Sequence, residues 1–170
     1  LLMTALQADA MLTDTPFLGL APFLRGSIAG SDLRAMGQEM LTLAGERGDD
    51  ANLWMNLSLA MQCVGQRDLG LAIQAQALAM RRIYPLPAAN QPAKLRVLML
   101  MVPGDLAANT PLECLLEDSD IDLIYYYVTA GNPLALPIPE HDVLLVAMGD
   151  SDENRPLLAA LEVALANWPK

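Results

Sequence analysis

Two short stretches of this sequence combine residue types that could do chemistry. In the first, Gly149-Asp150-Ser151 follows an apolar run, which is where several hydrolases carry a nucleophilic serine. Such a serine needs a histidine that accepts its proton. The sequence contains one histidine, His141, which stands at the opposite end of the apolar run. Because a strand of that length holds its ends about 25 Å apart, we predict that Ser151 caps a helix and has no catalytic role.

The second stretch, His141-Asp142, has the residue types of a metal-binding dyad. Sites of this kind use several histidines, and this chain has one. The sequence therefore predicts no metal site, and His141 is expected to hydrogen-bond locally where a strand begins. The two cysteines, Cys63 and Cys114, lie far apart in apolar segments, so we predict buried free thiols instead of a disulfide.

One loop is placed where α/β proteins bind ligands. Pro103 to Asn109 has a single glycine, which excludes a phosphate-binding glycine-rich loop. The loop nevertheless leaves the carboxyl end of a buried strand, and ligands gather at that edge of parallel sheets. The predicted ligand-binding residues come from this loop and from the loop after the last strand: Gly104, Asp105, Asn109, Gly149 and Ser151. The alternative is that these residues only stabilise their loops. The nearby carboxylates favour a neutral or zwitterionic ligand, such as an amino acid, over a polyphosphate.

The second half of the chain reads as a small α/β domain. Val97 to Pro103 has no polar side chain and ends at a turn, which is typical of a strand buried on both faces. Strands are also predicted at 121–128 and 143–148. A short helix with Leu112, Leu115 and Leu116 inward separates the first two, and a final helix follows the third. We therefore predict a three-stranded, parallel, Rossmann-like domain over residues 95–170, with a linker at 89–94.

The first half reads as helices without strands, over residues 1–88. A helical face is predicted for Leu1 to Leu12, and short turns for Phe17 to Ile28. Asp32 and Asp50 are predicted N-caps of the next two helices. A third helix is expected to run to about Tyr84, with the small residues Ala72, Ala75 and Ala79 among those on its inward face.

The helix pair at 51–64 and 69–84 approximates a tetratricopeptide repeat. Its matching positions are Trp54, Leu57, Ala72, Ala79 and Pro85, whereas Ser58 and Gly70 depart from the pattern. A generic helix pair remains the alternative.

Composition and charge exclude several functions. Of the 170 residues, 54% are apolar, and the net charge is −10. Residues 1–94 hold seven basic and eight acidic side chains, whereas residues 95–170 hold three and twelve. An acidic surface repels phosphate backbones, so we predict no nucleic-acid partner. No apolar run reaches the roughly 18 residues of a membrane span, and no signal peptide is visible. We predict a cytoplasmic protein without a membrane partner, and both ends look like those of an excerpt.

The chain from about residue 50 resembles a family of bacterial proteins in which a helical, tetratricopeptide-like region precedes an ATP-grasp region. The resemblance is carried by the segments Leu57–Ala60, Gly65–Arg67, Gln74–Leu78, Pro103–Asp105, Asn109–Glu113, Leu136–Pro137, His141–Asp142 and Gly149–Leu158. It implies that the part from Leu95 is a pre-ATP-grasp domain. It also implies that the ATP-binding lysines and magnesium-binding carboxylates lie after Lys170, so no cofactor is expected within these residues.

Two functions follow for the chain. The first is the non-catalytic N-terminal portion of an ATP-grasp ligase-like protein, which positions substrate and docks a protein partner or the downstream ATP-grasp domain. The second is a stand-alone protein-interaction module of the helical-repeat type. No catalytic residue is assigned under either, and the fragment alone is expected to lack activity.

Overall fold

The computed structural model of the protein describes residues 15–168. Its chain divides into two compact units, of which the first ends at Tyr84 and the second begins at Pro85. The helix predicted for Leu1 to Leu12 lies outside the described residues.

The first unit contains four described helices: α1 (Ala21–Ile28), α2 (Leu33–Glu46), α3 (Ala51–Cys63) and α4 (Arg67–Met80). The side chain of Asp32 caps α2 by accepting from Ala35 N, and that of Asp50 caps α3 by accepting from Leu53 N, so both predicted N-caps are confirmed. Helix α1 forms where only turns were predicted. Pro22 is tolerated because it lies in the first turn, where backbone N–H groups have no partner within the helix.

Helix α3 is the centre of this unit, with nine of its thirteen residues buried. Its polar side chains also hold the extended segment that precedes α1. Asp50 accepts from both N and Oγ1 of Thr15, at 2.9 and 2.6 Å. Asn52 donates to Thr15 O. Asn56 accepts from Leu18 N and donates to Pro16 O. The segment is therefore anchored mainly through its backbone.

Helices α3 and α4 pack closely where the repeat pattern fails. Ser58 Oγ donates to Gly70 O at 2.8 Å, and a Cβ on Gly70 would lie 3.0 Å from Ser58 O. The predicted inward face of α4 is wrong at Ala72, Ala75 and Ala79, which are exposed, whereas Leu78 is buried as predicted. The buried residues of α4 are Gly70, Ile73, Gln74, Ala77 and Leu78. Alanines occur on both the exposed and the buried side of α4, so they do not predict which side is buried. The contacts with α3 determine the buried side instead.

The second unit is built on a four-stranded mixed sheet with the order β1-β3-β2-β4, whose first strand begins two residues before Pro85. The strands are β1 (Ile83–Leu86), β2 (Leu95–Met101), β3 (Ile121–Tyr127) and β4 (Val143–Val146). Strand β2 pairs in parallel with β3 and with β4. The prediction of a three-stranded, wholly parallel sheet is wrong, because β1 adds a fourth strand and makes the sheet mixed. The prediction that residues 1–88 contain no strand is wrong. Helix α4 ends at Met80 and the next residues become β1, because an extended proline-containing segment can join the sheet at its edge.

Two helices complete this unit: α5 (Glu113–Leu116) and α6 (Arg155–Leu165). The predicted orientation of α5 is wrong, since Glu113 is buried and Leu115 is 82% exposed. A helix of one turn cannot sort its faces by periodicity, so its contacts with the sheet determine which side is buried. The thiols are free, as predicted, but they are not buried: Cys63 is half-buried and Cys114 is exposed.

Candidate functional site

The structure brings the two predicted ligand loops into contact at the carboxyl edge of the sheet. Asn109 forms an isolated antiparallel bridge with Met148, beyond the end of β4. Gly149 N donates to Ala108 O at 2.9 Å, and Thr110 N donates to Ala147 O at 2.7 Å. The loop after β2 therefore folds back along the end of the sheet.

The Asn109 side chain fixes this loop by closing a ring with Val102. Its Oδ1 accepts from Val102 N and its Nδ2 donates to Val102 O, both at 2.8 Å. This pair satisfies both backbone groups of the residue that follows β2. The carboxamide therefore acts on the scaffold, as the alternative interpretation of this residue expects.

The other predicted residues also take part in local geometry. Gly104 is required by close packing, because a Cβ there would lie 2.6 Å from the Ala108 Cβ. Asp105 Oδ1 accepts a hydrogen bond from Ala107 N at 3.1 Å. Ser151 Oγ accepts from Asn154 N at 3.2 Å in the turn before α6, and Asn154 Nδ2 donates to Gly149 O. The five residues line one ordered edge, and ligand binding there stays a prediction.

A cavity of about 350 Å³ lies at the amino end of the parallel strands, away from the predicted ligand loops. It is lined by Pro85, Leu86, Pro87, Arg96, Asp122, Leu123, Ile124 and Glu140. Arg96 Nη1 lies 3.0 Å from Glu140 Oε2, and Arg96 Nε lies 3.8 Å from Asp122 Oδ2. Asp122 Oδ1 accepts from Ala88 N at 2.8 Å, so this carboxylate also holds the chain beside the sheet.

His141 is a structural residue of this amino edge. Its Nδ1 lies 2.8 Å from Pro139 O, and its Nε2 lies 3.2 Å from Trp168 Nε1. Because the indole can only donate, Nε2 accepts and Nδ1 carries the proton that is donated to Pro139 O. The imidazole also stacks on Trp168, with ring centroids 5.9 Å apart. His141 precedes β4 and Ser151 follows it, as the sequence requires.

The buried face of α5 contains a carboxyl group that the sequence did not single out. Glu113 is 4% exposed, and it contributes to the environment of the buried Tyr125 in β3. Burial raises the pKa of Tyr125 well above its usual range, and the neighbouring Glu113 charge raises it further. The phenol therefore stays neutral in the folded state at pH values at which an exposed tyrosine begins to ionise.

An uncovered apolar surface on α6 and β4 was also missed. Eight of the eleven residues of α6 are apolar, yet only Leu161 is buried, and Val163 is 80% exposed. In β4, Val143 is 43% exposed and the next three residues are half-buried. The signal was present in the sequence, because α6 is apolar around most of its circumference and a helix in a small domain covers one face only.

Within residues 15–168, no three His, Cys, Asp or Glu side chains are grouped as metal ligands, and no helix is long and apolar enough to cross a membrane. No protein-family model, curated protein or solved structure matches this chain.

Proposed function

We propose that this chain is a non-catalytic binding module, which docks a protein partner through its α/β unit and positions a small ligand at the carboxyl edge. The observation that carries the proposal is the uncovered apolar surface of α6 and β4, where Val163 and Val143 meet solvent. Apolar side chains that face solvent on a helix and on an edge strand favour an interaction site, because covering them releases ordered water.

The polar residues that could do chemistry support the same proposal. Both ring nitrogens of His141 are engaged, by Pro139 O and by Trp168 Nε1. A histidine held in this way is not placed to activate Ser151, whose Oγ accepts from Asn154 N in the turn before α6. These side chains stabilise the scaffold on which binding takes place.

We propose further that this role is that of the N-terminal portion of an ATP-grasp ligase-like protein. A helical unit followed by a parallel β3-β2-β4 core has the element order that the resemblance implies. Under this proposal, ATP and magnesium bind residues outside this sequence. The contribution of this chain is to hold the substrate and to dock the domain or protein that carries out the reaction.

Titration of the isotope-labelled chain tests the ligand part. We expect amino acids to shift the backbone amide resonances of Gly104, Asp105, Asn109, Gly149 and Ser151, and magnesium-ATP to leave them unchanged. Tight ATP binding, or amino-acid shifts confined to residues around Arg96 and Glu140, would contradict it. Ser151→Ala serves as the control for catalysis, because esterase turnover that this substitution abolishes would refute the non-catalytic assignment.

A stand-alone helical-repeat module is the second candidate. The exposed face of α4, with Ala72, Ala75 and Ala79, favours it because small residues on an outer helix let a further helix approach. A photo-crosslinker placed at Ala75 or at Val163 separates the two proposals. Crosslinks to a partner from Val163 support docking through the α/β unit, whereas crosslinks from Ala75 alone support the helical-repeat module.

A further inference from the structure

The outer edge of β4 has backbone groups that no described strand pairs. Strand β4 is last in the order β1-β3-β2-β4. Ala147 N donates to Leu100 O in β2, at 2.9 Å. Since successive residues of a strand point their backbone groups to opposite sides, Leu145 faces β2 as Ala147 does. Leu144 and Val146 therefore direct their N–H and C=O groups toward the outer edge.

Within residues 15–168, β4 itself carries no lysine or proline, which are two of the features by which proteins prevent strand addition. Exposed edges usually carry a lysine, a proline, a bulge or a covering element. The four residues of β4 are all apolar, and Val143 at its start is 43% exposed. Within residues 15–168 the sheet has no strand beyond β4. The edge is therefore available for pairing with an extended chain.

The charge around the edge selects the kind of chain. Residues 85–168 hold three basic and twelve acidic side chains, a net charge of −9. Exposed carboxylates lie at both ends of β4, with Asp142 before it and Asp150 after it, and Glu153 and Glu162 are exposed near and on α6. A basic segment is attracted to this surface, and an acidic one is repelled. A second copy of this chain carries the same negative charge, which disfavours pairing of β4 with its own copy.

We propose that the outer edge of β4 binds an extended segment of a partner protein as an added strand, and that this segment has an apolar centre and Lys or Arg at its ends. The inference rests on the proposed docking function and names its partner chemistry. Main-chain hydrogen bonds to Leu144 and Val146 supply affinity, as in other complexes formed by strand addition. The apolar centre covers the exposed side chains of β4 and α6, and the basic ends meet the carboxylates.

A peptide titration against the wild-type chain tests this proposal. The probe is a short synthetic peptide with alternating Val and Thr at its centre and Lys at both ends. One control peptide carries Glu at its ends, and another has N-methylated amides at alternate positions, which removes the donors needed for strand pairing. Hydrogen exchange and amide resonances report binding, with Leu144→Pro as the protein variant, because proline there removes an outward N–H and leaves the bonds to β2 intact.

We expect the Lys-ended peptide to bind, to slow exchange at Leu144 and Val146, and to weaken as salt is raised. Each control peptide and the variant should bind at least about tenfold more weakly, a change of about 1.4 kcal/mol. Equal binding of all three peptides, absence of binding, or a dimer that protects Leu144 without peptide would overturn the proposal. Perturbation confined to α6 would overturn the β4 assignment and leave the docking function standing. The N-methylated peptide keeps the test valid if Leu144→Pro does not fold.

Discussion

Asp50 is the residue whose removal should most disturb the helical unit. The side chain is 2% exposed, it caps α3 through Leu53 N, and it accepts from both N and Oγ1 of Thr15. Replacing it with alanine removes a helix cap, which costs about 1 kcal/mol. It also leaves two buried donors without their acceptor, at about 1–3 kcal/mol each. We therefore expect Asp50→Ala to lower the free energy of unfolding by about 3–7 kcal/mol.

Asp32 provides the matched control because it caps α2 in the same way from an exposed position. Its Oδ1 accepts from Ala35 N at 3.0 Å. Asp32→Ala should cost about 1 kcal/mol or less, since water replaces the lost acceptor. The two substitutions remove the same chemical group, so their difference reports the buried contacts of Asp50 with Thr15 together with its ion pair to Arg47, whose Nη2 lies 3.1 Å from Asp50 Oδ2.

Urea unfolding followed by Trp54 fluorescence measures the difference. The Trp54 indole donates to Gly48 O, two residues before Asp50, so it reports on the start of α3. A Trp168→Phe background removes the signal of the second unit. Losses for the two variants that agree within about 1 kcal/mol would refute the assignment of Asp50 as the anchor of the segment. Asp50→Asn, which keeps one acceptor oxygen, should give an intermediate loss and remains measurable if the alanine variant does not fold.

Three further predictions test other contacts. Gly70→Ala should lower the free energy of unfolding by about 1–3 kcal/mol because its Cβ would press on backbone atoms of α3. Gly37→Ala should lower it clearly less, since its Cβ would meet the movable methyl group of Met61. Parallel urea titrations compare the two variants, and equal losses of stability would contradict the packing argument. Burial raises the pKa of Tyr84 above its usual range, so the unfolded phenol releases its proton first and stability should fall as pH rises above about 10. Tyr84→Phe should flatten that alkaline slope in Trp54-monitored unfolding, and an unchanged slope would assign it to another group. Asn109→Ala should speed hydrogen exchange of the Val102 amide, whereas Asn109→Asp should keep it protected because the carboxylate retains the acceptor oxygen. Equal exchange rates in the two variants would argue against the hydrogen bond from Val102 N to the Asn109 side chain.

Strands β2, β3 and β4 and the caps of α2 and α3 could be predicted because their signals are local and strong. The uninterrupted apolar run from Val97 has no stable alternative to a buried strand, and aspartate ahead of a periodic segment supplies a specific acceptor for free N–H groups. The prediction that Ser151 caps the last helix is wrong: α6 begins at Arg155 and its N-cap is Asn154, whereas Ser151 accepts a backbone N–H in the turn before the helix.

The remaining features depend on contacts between elements, which a pattern within one element does not contain. The buried face of α4 includes Gly70, where α3 approaches closely. Ala72, Ala75 and Ala79, whose small side chains seemed suited to close packing, are exposed. Helix α5 is one turn long, so the sheet determines that Glu113 is buried. Loops at the carboxyl edge could be placed together from parallel-strand geometry, whereas the exposed edge of β4 required the order of the strands.

The contacts that α3 makes to the preceding extended segment constrain chain length more than residue identity. Asn56 bonds one N–H and one C=O of that segment, and Asn52 bonds the carbonyl of Thr15. Backbone groups are common to nearly all residues, so substitutions at Pro16 or Leu18 leave these acceptors and donors in register. Insertion or deletion of a single residue shifts every bond at once. Among related sequences, this segment should therefore tolerate many substitutions and almost no change in length.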